Sequence, residues 1–274
     1  MEKFKGYDVV NSYPENGWLK GYFYAQQDDI KNNRSKSTKA YRDLDSIKHR
    51  DYILHLLGVN RQDKVLDVGC ADGAMMVYSG LLGAEVYGLD ISSEAIEKAN
   101  KYLKEYTLRG KAIVGDARKI SFPENYFDKA ISSDFFEHMS VEDNMQVLRE
   151  IKRVLKPDGI AIIKTPNLTY LRFARFYKMI KRALRLKNPF DVVIAHTTEE
   201  NHQHIGLLTK SKMIKIIKSA GFMNFKFYYD SNSKIERTNY ITGELLSRIP
   251  LLRDIFTEDL IVVIHKPIIL SFFP

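Results

Sequence analysis

One cysteine, Cys70, and one tryptophan, Trp18, occur in 274 residues. A single thiol excludes an intramolecular disulfide framework and suits a reducing compartment. It also excludes a cysteine-ligated iron–sulfur cluster, which takes about four thiolates. No apolar run approaches the ~18–20 residues of a membrane span. The opening Met1-Glu2-Lys3-Phe4-Lys5-Gly6-Tyr7-Asp8 has no apolar stretch of the kind a signal peptide carries, so the expected location is cytoplasmic. There is no internal repeat and no low-complexity tract. What remains is an ordinary globular composition, 45% hydrophobic and 28% charged, with a net charge of +8 and enough chain for a sizeable core.

Residues 1–44 are polar and aromatic and read as an N-terminal arm or cap; the rest, 45–274, reads as one domain. Ile47, Ile53, Leu54 and Leu57 predict a helix over 45–57, stopped by Gly58. From Lys64 onward short apolar runs alternate with helical periodicity. Strands are expected at 65–68, 85–90, 112–114, 127–132 and 160–163, with helices over 73–82, 94–106 and 141–155. Ser92 or Ser93 caps the second of these helices, and Pro157-Asp158-Gly159 makes a turn before the fifth strand. Such alternation predicts an α/β fold of βαβ units, a mostly parallel sheet with helices on both faces. Ligands then bind at the carboxyl ends of the strands, in the loops 69–73, 90–92, 115–118 and 132–139. After the fifth strand the rhythm breaks into a lid-like insertion over 166–208. A helix at 209–220, a strand at 222–229 and a last strand at 260–264 follow.

The loop after the first strand carries the most chemistry. Asp67-Val68-Gly69-Cys70-Ala71-Asp72-Gly73 runs from a strand through a glycine turn directly into a helix, whose first N–H groups are free. The dinucleotide fingerprint is not met, because Ala71 and Ala74 stand where its second and third glycines belong, and no Gly-Lys-Ser/Thr follows for a P-loop. NAD and ATP readings are weakened accordingly. Asp90 ends the second strand, where an acidic side chain accepts hydrogen bonds from both hydroxyls of a ribose. Loop and carboxylate together point to an adenosine-like ligand.

In this arrangement the chain resembles the class I S-adenosylmethionine-dependent methyltransferases. Asp67, Gly69 and Gly73 match the first motif of that family, with Ala71 in place of the middle glycine. The likeness continues through Asp90, Gly115-Asp116-Ala117, Phe127-Asp128, Leu148-Arg149-Glu150-Ile151 and Leu155-Lys156-Pro157-Asp158-Gly159. It implies a Rossmann-like seven-stranded sheet in the order 3-2-1-4-5-7-6, with the seventh strand antiparallel. It implies S-adenosyl-L-methionine as cofactor, held by Asp67, Gly69, Cys70, Ala71, Gly73, Asp90, Ile91, Asp116, Ala117 and Ser133. Asp90 would hold the ribose hydroxyls and Asp116 the adenine amine. Cys70 reads as a small, buried, inert thiol in that loop.

For the acceptor, Phe136-Glu137-His138-Met139, Thr165-Pro166-Asn167 and His204-Ile205-Gly206-Leu207-Leu208-Thr209 resemble a branch with ubiquinone-pathway and glycan-modifying O-methyltransferases. The Asn/Asp-Pro-Pro-Tyr/Phe signature of amide and adenine methylation is absent. A hydroxyl acceptor must lose its proton, and His138 is the first candidate base, with His204 and His196 next. His196, His202 and His204 match no zinc spacing, and no metal site is expected. The expected acceptor is a small molecule, glycan or lipid-linked compound.

Between 171 and 187 lie Arg172, Arg175, Lys178, Lys181, Arg182, Arg185 and Lys187, with no acid among them. These seven cations account for all but one of the eight net positive charges. On a helical wheel most of them share one face, with Phe173, Phe176, Tyr177, Ile180 and Leu184 opposite. The segment is therefore a lid helix packed by its apolar face, a contact with the inner face of a membrane or with a lipid-linked substrate, or a site for an acidic acceptor such as RNA or a phosphorylated glycan. An RNA methyltransferase is the alternative enzyme, weakened because the cations are not interleaved with stacking aromatics. A non-catalytic cofactor-binding protein is the alternative of another class.

Overall fold

The computed structural model describes residue 50 and residues 52–192, 205–229, 249 and 252–267. The expected arm over 1–44, and His196, His202 and His204, lie outside them. Seven strands hydrogen-bond in the order β3-β2-β1-β4-β5-β7-β6. They are β1 (Lys64–Val68), β2 (Glu85–Asp90), β3 (Gly110–Val114), β4 (Phe127–Ser133), β5 (Leu155–Pro166), β6 (Asn224–Tyr228) and β7 (Asp259–His265). Strand β1 pairs in parallel with β2 and β4, β2 in parallel with β3, and β6 antiparallel to β7. The parallel core is what the strand–helix alternation predicts, and the order and the antiparallel last strand are those the family resemblance implies.

The helices are α1 (Ala74–Leu81), α2 (Ser93–Glu105), α3 (Val141–Val154), α4 (Leu168–Ala183) and α5 (Lys210–Ser219), with a single turn at Arg253–Phe256 that the sequence pattern did not reveal. Strand β5 starts at Leu155, directly after α3, and the expected turn survives only as a left-handed residue inside it, Asp158 at φ 64°. The described residues divide into two compact units, one holding those up to Ile131 with Val154–Ala161, the other those of Ser132–Arg153 and those from Ile162 onward.

In the first unit, residues 52–57 are helical, and the N–H of Gly58 closes them onto the Leu54 carbonyl at 2.9 Å. Val65, Leu66, Val68, Val86 and Leu89 are buried, as continuous apolar runs of a parallel sheet should be. Helix α2 begins where Ser92 accepts a hydrogen bond from the Ala95 N–H at 3.2 Å, and it buries Ile96, Ala99 and Leu103. Gly73 precedes α1 at φ 85°, and a Cβ there would lie 2.8 Å from that of Ala99. Only glycine allows α1 to start this close to α2.

In the second unit, α3 starts with a reciprocal cap. Ser140 Oγ accepts from the Asp143 N–H and donates to Asp143 Oδ2, both at 3.0 Å. Its Val147, Leu148 and Ile151 are buried at the predicted spacing, while Leu155, expected to end this helix on the same face, opens β5 instead. Helix α4 starts earlier and ends earlier than the basic stretch 171–187. Asn167 caps it by accepting from the Thr169 N–H at 3.0 Å, and Arg185–Lys187 lie in the turn beyond its end.

Candidate functional site

In the first unit the loop between β1 and α1 folds back on the end of β2. The N–H groups of Gly69 and Cys70 donate to the Leu89 carbonyl at 2.8 and 3.1 Å. Gly69 and Ala71 both have positive φ, 75° and 44°. This bend turns the Ala71 N–H onto Asp90 Oδ2 at 3.0 Å, while Ser92 N–H donates to Asp90 Oδ1 at 2.9 Å. The two oxygens of a carboxylate offer about four acceptor positions. Asp90 is thus fixed in orientation by two backbone donors and keeps acceptor capacity on each oxygen for a diol.

The surroundings of Asp90 suit a nucleoside. Two large hydrophobic residues are exposed among the described residues of this unit, Ile91 and Val114. Ile91 follows Asp90, and Val114 is its register partner on β3. Uncovered apolar side chains at the carboxyl ends of adjacent parallel strands are what a base would cover. Asp116 lies just beyond. Its carboxylate takes the Arg118 N–H at 2.8 Å and a forked contact from the guanidinium, down to 2.7 Å. Hydrogen bonds from the Arg118 side chain and backbone hold its pKa below the usual value. Arg118, which sequence reasoning passed over, therefore already occupies much of the acceptor capacity of Asp116, the residue that the family resemblance assigns to an adenine amine. Its position two residues after the aspartate was the available signal.

Asp67 ends up 4% exposed, and its carboxylate accepts no hydrogen bond from a described residue. Burial first, then the charges of Asp90 and Asp72, push its pKa to about 7. Cys70 is buried as expected. Burial first, then the charges of Asp67 and Asp90, raise its pKa and keep the thiol protonated, so it offers no nucleophile.

In the second unit the three acceptor-side motifs meet. After β4, Phe136–His138 form one turn of 3-10 helix. Glu137 is 1% exposed, and its carboxylate accepts from the Thr165 hydroxyl at 2.9 Å. Its carbonyl accepts from the Gly206 N–H at 2.8 Å. A Cβ on Gly206 would collide with the Met139 carbonyl oxygen and lie 2.7 Å from that of Phe136, which explains a glycine here. Asn167, wholly buried, is a clamp. Its amide donates to the Asp254 and Thr257 carbonyls at 2.7 and 2.9 Å, and its backbone bridges to Leu208.

His138 is exposed, while its neighbour Glu137 turns inward. Burial pushes the Glu137 carboxyl above the usual carboxylate range, with Asp134 adding to the effect and Thr165 and His138 opposing it. Asp134 stands at φ 55° beside it. It is held by its own N–H on the Lys164 carbonyl at 2.9 Å and by the Lys164 ammonium at 2.6 Å. Lys164 also faces Asp259 at 3.3 Å. Burial works against its charge, and Asp259 and Asp134 together outweigh that and keep it protonated. Ser133, the last residue of β4, donates through its hydroxyl to Asp134 Oδ2 at 3.1 Å.

Residues 66–163 match a family model described as a methyltransferase domain. Sterol 24-C-methyltransferase of Saccharomyces cerevisiae is 32% identical over 157 residues, 56% of this chain and 38% of that protein. Demethylmenaquinone methyltransferase of a Geobacillus species is 34% identical over 136 residues, 48% of this chain and 57% of that one. The matches thus span well under two thirds of these relatives. Among solved structures, phosphoethanolamine N-methyltransferase 2 of Haemonchus contortus, in complex with S-adenosyl-L-methionine, superposes with a TM-score of 0.56 at 20% identity, over 80% of this chain and 52% of that one. The cyclase SpnF superposes with the same TM-score, 0.56, at 16% identity, over 92% of this chain and 96% of that one. These likenesses establish the fold; a shared fold does not by itself name the reaction.

Proposed function

We propose that the chain is a class I S-adenosylmethionine-dependent methyltransferase and that it methylates an oxygen of a small molecule, either a sugar hydroxyl of a surface glycan or its precursor, or a quinone-pathway phenol. The observation that carries the cofactor half is Asp90. It is oriented by the N–H groups of Ala71 and Ser92, keeps free acceptor capacity, and is flanked by exposed Ile91 and Val114. A ribose fits the carboxylate and an adenine ring fits the apolar pair. When bound, the cofactor supplies a methyl group on a cationic sulfonium. The loop Gly69–Gly73 would receive its methionine end beside Asp67, whose ionised form a positive charge favours. Asp116 would meet the adenine amine, with Arg118 giving way, and Ala117 would complete the contacts.

Methyl transfer to a hydroxyl asks the protein for alignment and for a proton acceptor. What supports an oxygen acceptor is the Glu137–His138 pair after β4, an inward carboxyl of raised pKa beside an exposed imidazole. A likeness to a protein named for demethylmenaquinone supports a quinone-pathway compound as substrate, without bearing on which of its atoms takes the methyl.

Calorimetry with S-adenosylhomocysteine on the full chain, wild type and Asp90→Ala, tests the cofactor reading. Binding that the substitution abolishes is the expected result, and a folded wild type that ignores the ligand would overturn it. Methyl transfer to panels of sugars and catechols then tests the acceptor. Salt-sensitive RNA binding with turnover on RNA alone would replace it with a nucleic-acid substrate.

A further inference from the structure

Helix α4 changes character along its length. Its first half is packed: Tyr170 and Leu171 are buried with Ala174, Val192 and Leu207 around them, and the Phe173 ring meets Phe256 edge-on at 5.0 Å. Its second half and the turn beyond are not. Phe176, Ile180, Leu184, Leu186 and Phe190 are 61%, 44%, 82%, 99% and 77% exposed. These are five of the ten exposed large hydrophobics among the described residues, gathered into fifteen positions. A helix that needed only to cover a pocket would bury this stripe, since Phe176, Ile180 and Leu184 follow one another at the four-residue spacing of a single face.

The cations gather at the same end. Lys178, Lys181, Arg182, Arg185 and Lys187 line one concavity of about 270 Å³, with Asp191 and Val192. Arg182 is committed, pairing with Asp191 at 2.6 Å and donating to the Asn188 carbonyl at 2.7 Å. Lys178, Arg185 and Lys187 form no ion pair with a described residue. The cations stand opposite the apolar stripe, as on the polar face of a helix lying in an interface, and their long stems can carry the charged heads sideways toward headgroups.

The end of α4 adds an independent sign. The Lys187 N–H donates to the Arg182 carbonyl and the Leu186 N–H to that of Ala183, both at 3.0 Å, which closes the helix in a Schellman-type turn. The residue at its left-handed position is ordinarily glycine; here it is Leu186, at φ 53°. A leucine in this conformation is strained, and at 99% exposure the described fold gives it no packing in return.

We propose that the surface formed by the second half of α4 and the turn to Phe190 docks on an anionic lipid bilayer, with Phe176, Ile180, Leu184, Leu186 and Phe190 entering the interface and Lys178, Lys181, Arg185 and Lys187 meeting lipid phosphates. The charge of the surface is complementary to such a bilayer, and its apolar residues have a use there that a nucleic acid would not provide. No described helix is long and apolar enough to cross a membrane, so the contact is peripheral. The proposal does not depend on which acceptor is methylated.

The test is flotation of the full chain with vesicles of phosphatidylcholine alone, or of equal parts phosphatidylcholine and phosphatidylglycerol, at low and high salt. Wild type should float with the anionic vesicles, release as salt rises, and ignore the neutral ones. Lys178→Gln with Arg185→Gln and Lys187→Gln should weaken binding by roughly a hundredfold, about fivefold per cation. Leu184→Ser with Leu186→Ser and Phe190→Ser should weaken it by more than about tenfold at low salt, because the apolar contribution is independent of charge. A cooperative melting transition, and S-adenosylhomocysteine binding, which involves none of these positions, report whether each variant is folded. Failure of wild type to float, equal binding to neutral vesicles, or full binding by the serine variant would each overturn the proposal. So would displacement from vesicles by equimolar polyuridylate, which would reassign the cations to nucleic acid.

Discussion

The Thr165 hydroxyl donates a 2.9 Å hydrogen bond to the carboxylate of Glu137, and both residues are almost wholly buried. This one contact ties the loop after β4 to the end of β5. Replacing Thr165 by valine keeps the shape and removes the donor. The folded state should lose about 1–3 kcal/mol at neutral pH, as expected when a buried acceptor is left unsatisfied. The loss should shrink as pH falls and Glu137 takes up a proton, since a neutral carboxyl is cheaper to bury. Urea denaturation of Thr165→Val at neutral and acidic pH checks both statements; equal losses at the two pH values would contradict the second.

Asp67 makes the stability of the protein pH-dependent in a defined direction. Its unfolded pKa is near 3.8 and its folded value about 7. The folded state therefore holds this proton more tightly. The stability associated with it is fully present below the unfolded value and is lost as pH rises through the folded value. The penalty at alkaline pH is on the order of 4 kcal/mol. Asp67→Asn should remove it. The variant should be more stable than wild type at about pH 8 and close to it at about pH 4. If cofactor binds as proposed, ligand should also bind wild type more tightly above about pH 7, where Asp67 is ionised.

Asp90 has both a structural and a proposed binding role, and the two separate experimentally. Asp90→Ala leaves the Ala71 and Ser92 N–H groups without their acceptor and should cost about 1–2 kcal/mol of stability by thermal denaturation. Its cost to S-adenosylhomocysteine binding should be larger, about 3 kcal/mol or more, because two charge-assisted hydrogen bonds to the ribose vanish. Losses confined to stability, with affinity kept, would remove the ribose from Asp90.

Leu186 should be a position where stability and surface binding oppose one another. Leu186→Gly relieves the left-handed strain and should stabilise the fold by about 0.5–1 kcal/mol, the relief being partly offset by the greater freedom of glycine when unfolded. The same variant should float less well with anionic vesicles. A melting curve and one flotation assay on this single substitution read both effects.

Much of the nucleoside half was legible in the chain itself. Strand β2 occupies the predicted 85–90, and Ser92 caps α2 as its place before an amphipathic run implies. The Gly69–Gly73 loop lands against Asp90, because a βα turn and the end of the next parallel strand are adjacent by topology. Asn167 carried a legible signal as well, an N-cap immediately before a helical pattern, yet it resembled part of an acceptor motif; the structure uses it as a buried clamp.

The sequence by itself determined the alternation of strands and helices, the parallel core and the glycine turn beside Asp90. Each depends on local periodicity, backbone sterics or contacts between consecutive elements. Only the tertiary structure decided that Glu137 and not His138 turns inward, that Thr165 and Gly206 are its partners, and that Arg118 folds back onto Asp116. It also decided that the apolar stripe of α4 is buried at Tyr170 and Leu171 and bare at Leu184 and Leu186. A helical wheel shows which residues share a face, whereas burial depends on whether another part of the chain reaches that face. The pattern of one segment does not contain that information.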